Sequence, residues 1–199
     1  MITKLRFSLL LAGSTLFLFT AGCGTQDRTD DVAQNKSGVA VSLTDRPLAV
    51  YQSELLEHAF ETATAIPVKP HIKDRARAQE KVVEVSLELD QPLRAQYLIE
   101  RIDNWRRGSG YCDLALYCAR RGYPDETQQY LNLAVQISEF AEDWHQDQIK
   151  VKIANTYVWL GQNIQTDQFE TGVVDSESGE VAGAKALIAG EDHFDEQMN

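Results

Sequence analysis

The 199-residue chain is short of the residues that usually build reactive sites: three cysteines, four histidines and two methionines. It contains no nucleophile elbow, no zinc-protease His-Glu-x-x-His and no phosphate-cradling Gly-Lys loop, so none of those chemistries is announced by a motif. Basic residues are outnumbered, 19 against 30 acidic, for a formal charge of −11. That balance excludes the non-specific nucleic-acid binders, which need clustered cations to displace counterions from phosphates. From Pro47 to Gly161 the alternating apolar pattern of strands is also missing. An all-α domain is what remains.

The first residues belong to an address. Lys4 and Arg6 form a cationic stub, and FSLLLAGSTLFLFT (7–20) is an apolar run too short to span a bilayer comfortably as a helix. Ala21 and Gly22 then precede Cys23, and "TAGC" resembles a bacterial lipobox, in which the cysteine is diacylated and becomes the new N-terminus. The resemblance implies a signal peptide over 1–22 and a lipidated Cys23 carrying diacylglycerol and palmitate. The protein would then be anchored on the extracytoplasmic side of the cell membrane or outer membrane. Gly24, in place of the aspartate of inner-membrane retention, leans towards the outer membrane. An ordinary cleaved signal with an incidental Cys23 and an uncleaved membrane anchor are the other readings. Two or three acyl chains hold durably, where one binds reversibly. Cleavage before Cys23 removes Lys4 and Arg6 and leaves 17 basic against 30 acidic side chains, a net of −13. A chain so acidic is not drawn onto anionic lipid by its own charge.

Residues 23–46 are polar, without a helical stripe, and read as a flexible tether of about 25–30 Å root-mean-square span. Residues 47–161 carry the helical pattern. One stripe (Leu55, Leu56, Ala59, Phe60, Ala63) predicts a helix to about Thr64, which the prolines of "IPVKPH" interrupt. A second helix is expected from Ile72 to Leu89 around Ala78, Val82, Val85 and Leu89, and a third from Leu93 to Asn104. "WRRGSG" reads as its end. Two further helices follow, one along Tyr111, Leu114, Ala115 and Cys118 and one along Leu131, Ala134, Val135 and Ser138. A sixth runs from about Gln146 to Leu160. Residues 162–199 hold nine acidic side chains and one lysine, Lys185, and read as an acidic, largely flexible tail with at most a short helix over 180–189.

Self-comparison finds a repeat. Asn104–Trp105 returns as Asp143–Trp144, and the glycines of "LALYCARRG" and "IANTYVWLG" likewise lie 39 apart. Leu114, Ala115, Cys118, Gly122, Thr127, Leu131 and Ala134 fall on the pattern of the tetratricopeptide repeat, as do Ile153, Ala154, Tyr157 and Gly161 in the next unit. The earlier unit is represented by Asp90 at the turn and Ala95. The chain thus resembles that family over about 72–161, with a spacing of 32 to 39 where the family keeps 34. The resemblance implies a right-handed α-solenoid of about three irregular helical hairpins. It also implies a non-catalytic scaffold or adaptor whose concave face holds a peptide or another envelope protein. An envelope enzyme with dispersed residues, for instance acting on the cell wall, is the alternative. Gly122 and Gly161 stand where a helix ends through the left-handed region.

No cofactor and no metal set is expected. Glu142 and His145 make one Glu-x-x-His, but a di-iron bundle needs a second copy and two more glutamates. Cys112 and Cys118, about 9 Å apart along one helix, are too far apart for a disulfide and read as small core residues. Arg94, Arg101, Arg106, Arg107, Arg120 and Arg121 form a local basic island. It admits two readings: cations at helix ends complementing the negative pole, or a site for an acidic peptide or for the chain's own acidic tail. Arg101, Arg106, Arg107, Arg120 and Arg121 are the candidate partner-binding residues. Trp105 and Trp144, at equivalent places, read as seam packing or as partner anchors.

Overall fold

A computed structural model describes residues 42–173 and 175–198. The signal peptide 1–22, Cys23 and most of the tether lie outside the described residues. Those described form eight helices and no strand, so the chain is all-α. They are α1 (Val50–Thr64), α2 (Val68–Glu88), α3 (Pro92–Glu100), α4 (Arg106–Arg121), α5 (Pro124–Ser138), α6 (Asp143–Trp159), α7 (Asn163–Glu170) and α8 (Asp175–Met198). None of these helices is long and apolar enough to cross a membrane.

One connector is used three times. After α4, Gly122 turns left-handed (φ 77°), Tyr123 N–H donates to the Cys118 carbonyl at 3.0 Å, and Pro124 starts α5. After α6, Gly161 (φ 67°) turns the same way and Gln162 N–H donates to the Tyr157 carbonyl at 2.9 Å. After α2, Asp90 (φ 56°) takes that place and Gln91 N–H donates to Ser86 at 2.9 Å, before Pro92 opens α3. The left-handed residue lets the next amide reach back five residues to an orphan carbonyl, and the proline needs no amide partner in the first turn. The pairs α2–α3, α4–α5 and α6–α7 share this join. Helices α2, α4, α6 and α8 also pack successively on one another, while α3 lies against α4 and α5 against α6.

The core runs through these contacts. Phe60, Val83, Leu98, Ile99, Leu114, Leu131, Ile149 and Ile153 are fully buried in one cluster. A second cluster joins Val151, Ala154 and Val158 of α6 to Val181 of α8.

Four expectations change. The buried stripe of α2 is Ala76, Gln79, Glu80, Val83 and Ser86, one residue round from the Ala78, Val82, Val85, Leu89 face. Hydrophobic periodicity missed it because three of those residues are polar and satisfied by particular partners, such as Gln79 on the Thr64 hydroxyl at 3.0 Å. Leu55 is exposed, not core. "RRGSG" is not a helix end but the first turns of α4, where glycine serves close packing. A Cβ on Gly108 would meet Ile149 at 2.9 Å, and one on Gly110 would meet Ile99 at 2.9 Å. Residues 163–170 and 175–198 are helical, where the sequence reads as largely flexible, because Val181, Ala184 and Ile188 form a stripe that packs on α6.

The end of the expected tether is also docked. Asp45 accepts hydrogen bonds from the backbone N–H of Leu93 (2.7 Å) and Arg94 (3.2 Å), capping α3 from 48 residues away. Arg46 N–H donates to the Asp90 carbonyl at 2.8 Å. These bonds satisfy two of the amides a helix start leaves open.

Candidate partner-binding clefts

The face made by α2, α4 and α6 carries charged side chains in compensated pairs. Glu80, buried in α2, accepts from Arg106 and from the Ser109 hydroxyl at 2.7 Å. Asp113 of α4 accepts twice from Lys152 Nζ of α6, each at 2.8 Å. Burial opposes the charge on Lys152, but the Asp113 carboxylate outweighs it and the lysine pKa is raised. Desolvation pushes the Asp113 carboxyl up, against the pull of Lys152. A burial cost on both partners with two short bonds between them is the pattern of an ion pair that fixes geometry more than it adds stability.

Around these pairs lie two clefts. The first, about 370 Å³, is lined by Glu84, Glu88, Asp113, Tyr117, Arg120 and Arg121. The second, about 220 Å³, is lined among others by Glu80, Glu84, Arg106, Lys152 and, from α8, Glu180. Glu84 belongs to both. A third cleft, about 440 Å³, sits at the α3–α4 and α5–α6 connections and shares Trp105 with the second.

The arginines of the sequence-level island are thereby separated. Arg120 and Arg121 line the first cleft, Arg106 the second and Arg107 the third. Arg101 lines none of them: it bridges α3 to α1 through Glu57 (3.4 Å) and Glu61, over the Phe60 ring. Arg94 likewise ties α3 to the Ser53 carbonyl. Arg121 pairs with Asp90, and Arg120 lies 4.9 Å from the Trp159 ring centroid. Arg106 and Arg107 open α4 rather than follow α3, so they stand at the positive pole of their helix. The dipole therefore accounts for neither, and Arg106 is placed by its pairing with Glu80.

Trp105 and Trp144 meet at 5.8 Å edge to face, with His145 stacked on Trp105 at 4.3 Å. Trp105 is half-buried and Trp144 half-exposed, so the pair is both seam and surface. His145 is buried, its Nδ1 lies 3.7 Å from Glu142, and its Nε2 has no hydrogen-bond partner. Desolvation lowers its pKa, with Glu142 opposing. No group of three potential metal ligands occurs among the described residues. Cys112 and Cys118 are free and buried; burial pushes the first thiol far up and the second to about 12. The Cys112 thiol donates to the Ile149 carbonyl at 3.7 Å, a packing contact.

No family model, no curated protein and no solved structure matches the chain.

Sequence reasoning named four cleft arginines but missed Glu80, Glu84, Asp113 and Lys152. Glu80 and Asp113 are carboxylates on predicted helices whose placement only the pairing with Arg106 and Lys152 reveals, and Glu84 is half-buried and pairs with Lys81 on its own helix. Lys152 lies between Val151 and Ile153, inside the apolar run of α6, and that is the one local signal it had.

Proposed function

We propose that this protein is a lipid-anchored envelope adaptor, held by Cys23 in the cell membrane or outer membrane. Its helices stack as a right-handed tetratricopeptide-like solenoid, and a peptide segment or another envelope protein sits on the α2–α4–α6 face. The threefold recurrence of the left-handed connector supports the repeat, together with the order in which α2, α4, α6 and α8 pack. A single hairpin leaves apolar surface bare on both sides, and stacking covers it. The observation that carries the adaptor reading is the pair of clefts sharing Glu84, with mixed charges and aromatic edges. The protein does no chemistry of its own in this reading.

The test is expression of the full chain beside Cys23→Ser, with palmitate labelling, membrane fractionation and cross-linked capture. Label and membrane residence lost in the serine form, with one partner captured by the lipidated form alone, is the expected result. Label retained in Cys23→Ser would remove the anchor, and absence of any reproducible partner would remove the adaptor.

A second reading, an envelope enzyme acting on the cell wall, draws on Glu80 and Asp113 converging on one face. Loss of a wall-processing phenotype in Glu80→Gln/Asp113→Asn, with folding and partner capture intact, would favour it.

A further inference from the structure

The third cleft differs from the other two in chemistry. Its walls include Trp105, Ile137, Phe140 and Ala141, and its cation is Arg107. Phe140 is 90% exposed, the most exposed large apolar side chain among the described residues. It stands at the turn between α5 and α6, where no neighbouring helix covers it. The acid in the cleft, Asp103, is taken by Arg75 at 3.5 Å, and the Asn104 amide oxygen accepts from Arg106 N–H at 3.0 Å. Arg107 has no carboxylate partner among the described residues, and its Nε is buried without a hydrogen bond. The neighbouring arginine is spent on Glu80, so Arg107 is the cation of this edge still open to an anion.

A free guanidinium beside apolar walls selects against two ligand classes. A phosphate brings more charge than one arginine neutralises and gains nothing from Phe140, Ile137 and Ala141. A purely apolar group leaves Arg107 desolvated and unpaired, which is costly. A large apolar side chain with a carboxylate beside it satisfies both halves: the ring or aliphatic group covers Phe140 and Trp105, and the carboxylate pairs with the planar fork of Arg107.

We propose that this cleft, formed by Trp105, Arg107, Ile137 and Phe140, binds a peptide segment of a partner protein through an aromatic or large aliphatic residue adjacent to a glutamate or aspartate. The inference rests on the adaptor reading for its biological occupant, but the cleft's preference is a property of these residues alone. Trp105, shared with the second cleft, links this anchor point to the α2–α4–α6 face, so one segment can engage both.

The test uses the full chain in detergent and three fluorescein-labelled tetrapeptides read by anisotropy: Ala-Phe-Glu-Ala, Ala-Phe-Gln-Ala and Ala-Ala-Glu-Ala. The Phe-Glu peptide is expected to bind at least tenfold more tightly than either of the others. Arg107→Gln should bring it down to the Phe-Gln level. Phe140→Ser, which changes only an exposed side chain and so leaves the fold intact, should erase the preference for Phe over Ala. Arg77→Gln, on the exposed side of α2 and outside the clefts, should leave all three unchanged. Equal affinities for the Glu and Gln peptides, insensitivity to Arg107→Gln, or no saturable binding at millimolar peptide would overturn the proposal. Discrimination without a captured membrane partner leaves the cleft standing and removes the adaptor. A captured partner with no peptide discrimination does the reverse.

Discussion

Glu80 in the middle of α2 is held by Arg106 at the start of α4, with the Ser109 hydroxyl completing its partners at 2.7 Å. The Glu80 side chain is 7% exposed, so its charge depends on that pairing. Arg106→Gln should therefore cost about 3–5 kcal/mol of unfolding free energy, because it strands a buried carboxylate. Glu80→Gln/Arg106→Gln should recover a large part of that loss. Urea denaturation of the two variants decides it; a single variant no less stable than the double would contradict the pairing.

The glycines of the chain should respond oppositely to alanine. Gly110→Ala places a Cβ 2.9 Å from Ile99 Cγ1 and should cost about 1–3 kcal/mol through overpacking. Gly122→Ala meets no atom but forces a side chain to φ 77°, for a loss of about 1–2 kcal/mol. Gly179→Ala, in open space on α8, should stabilise by up to about 1 kcal/mol by lowering the entropy of the unfolded chain. Thermal unfolding of the three variants would show two shifts down and one up.

His145 gives the fold a pH dependence on the acid side. Desolvation lowers its folded pKa below the ordinary 6.5, with Glu142 pulling up and Lys73 and Arg106 pushing down. The unfolded chain thus binds the proton more readily, and stability falls as pH drops through 6.5 towards the folded value, then stops changing on this account. His145→Phe should flatten that part of the stability–pH curve. An unchanged slope between pH 7 and 5 in the variant would rule the histidine out as its source.

The two core cysteines should be silent until the domain opens. Burial raises both thiols, Cys118 to about 12, so almost no thiolate exists at neutral pH. In the Cys23→Ser chain, a thiol-reactive dye should label neither cysteine in buffer and both in denaturant. Stoichiometric labelling of the native protein would show that α4 is not packed as described.

Legibility divided along one physical line. Features set by local chemistry were readable: Gly122 and Gly161 at left-handed turns, and the apolar stripes of α4 and α5. Features set by distant partners were not. Asp45 caps α3 across 48 residues, and Glu80 is buried only because Arg106 lies opposite. "RRGSG" shows the limit most clearly. Gly-Ser-Gly has the composition of a turn, yet Gly108 and Gly110 lie in a helix, and they are glycine because Ile149 and Ile99 leave no room for a Cβ. The candidate site divides the same way. The arginines stood out as a cluster in an acidic chain, but that Arg101, Arg106 and Arg121 have carboxylate partners and Arg107 has none among the described residues depends on Glu57 and Glu61 in α1, Glu80 in α2 and the Asp90 turn.

The most direct test of a partner-holding face is site-specific photocrosslinking in membranes, with a photoreactive residue at Glu84 in the groove or at Gln129 on the outer side of α5. A discrete adduct from position 84, absent from position 129 and absent from the Cys23→Ser chain, is the predicted result. The same adducts from both positions, or none from position 84 in an intact, membrane-resident protein, would contradict the adaptor.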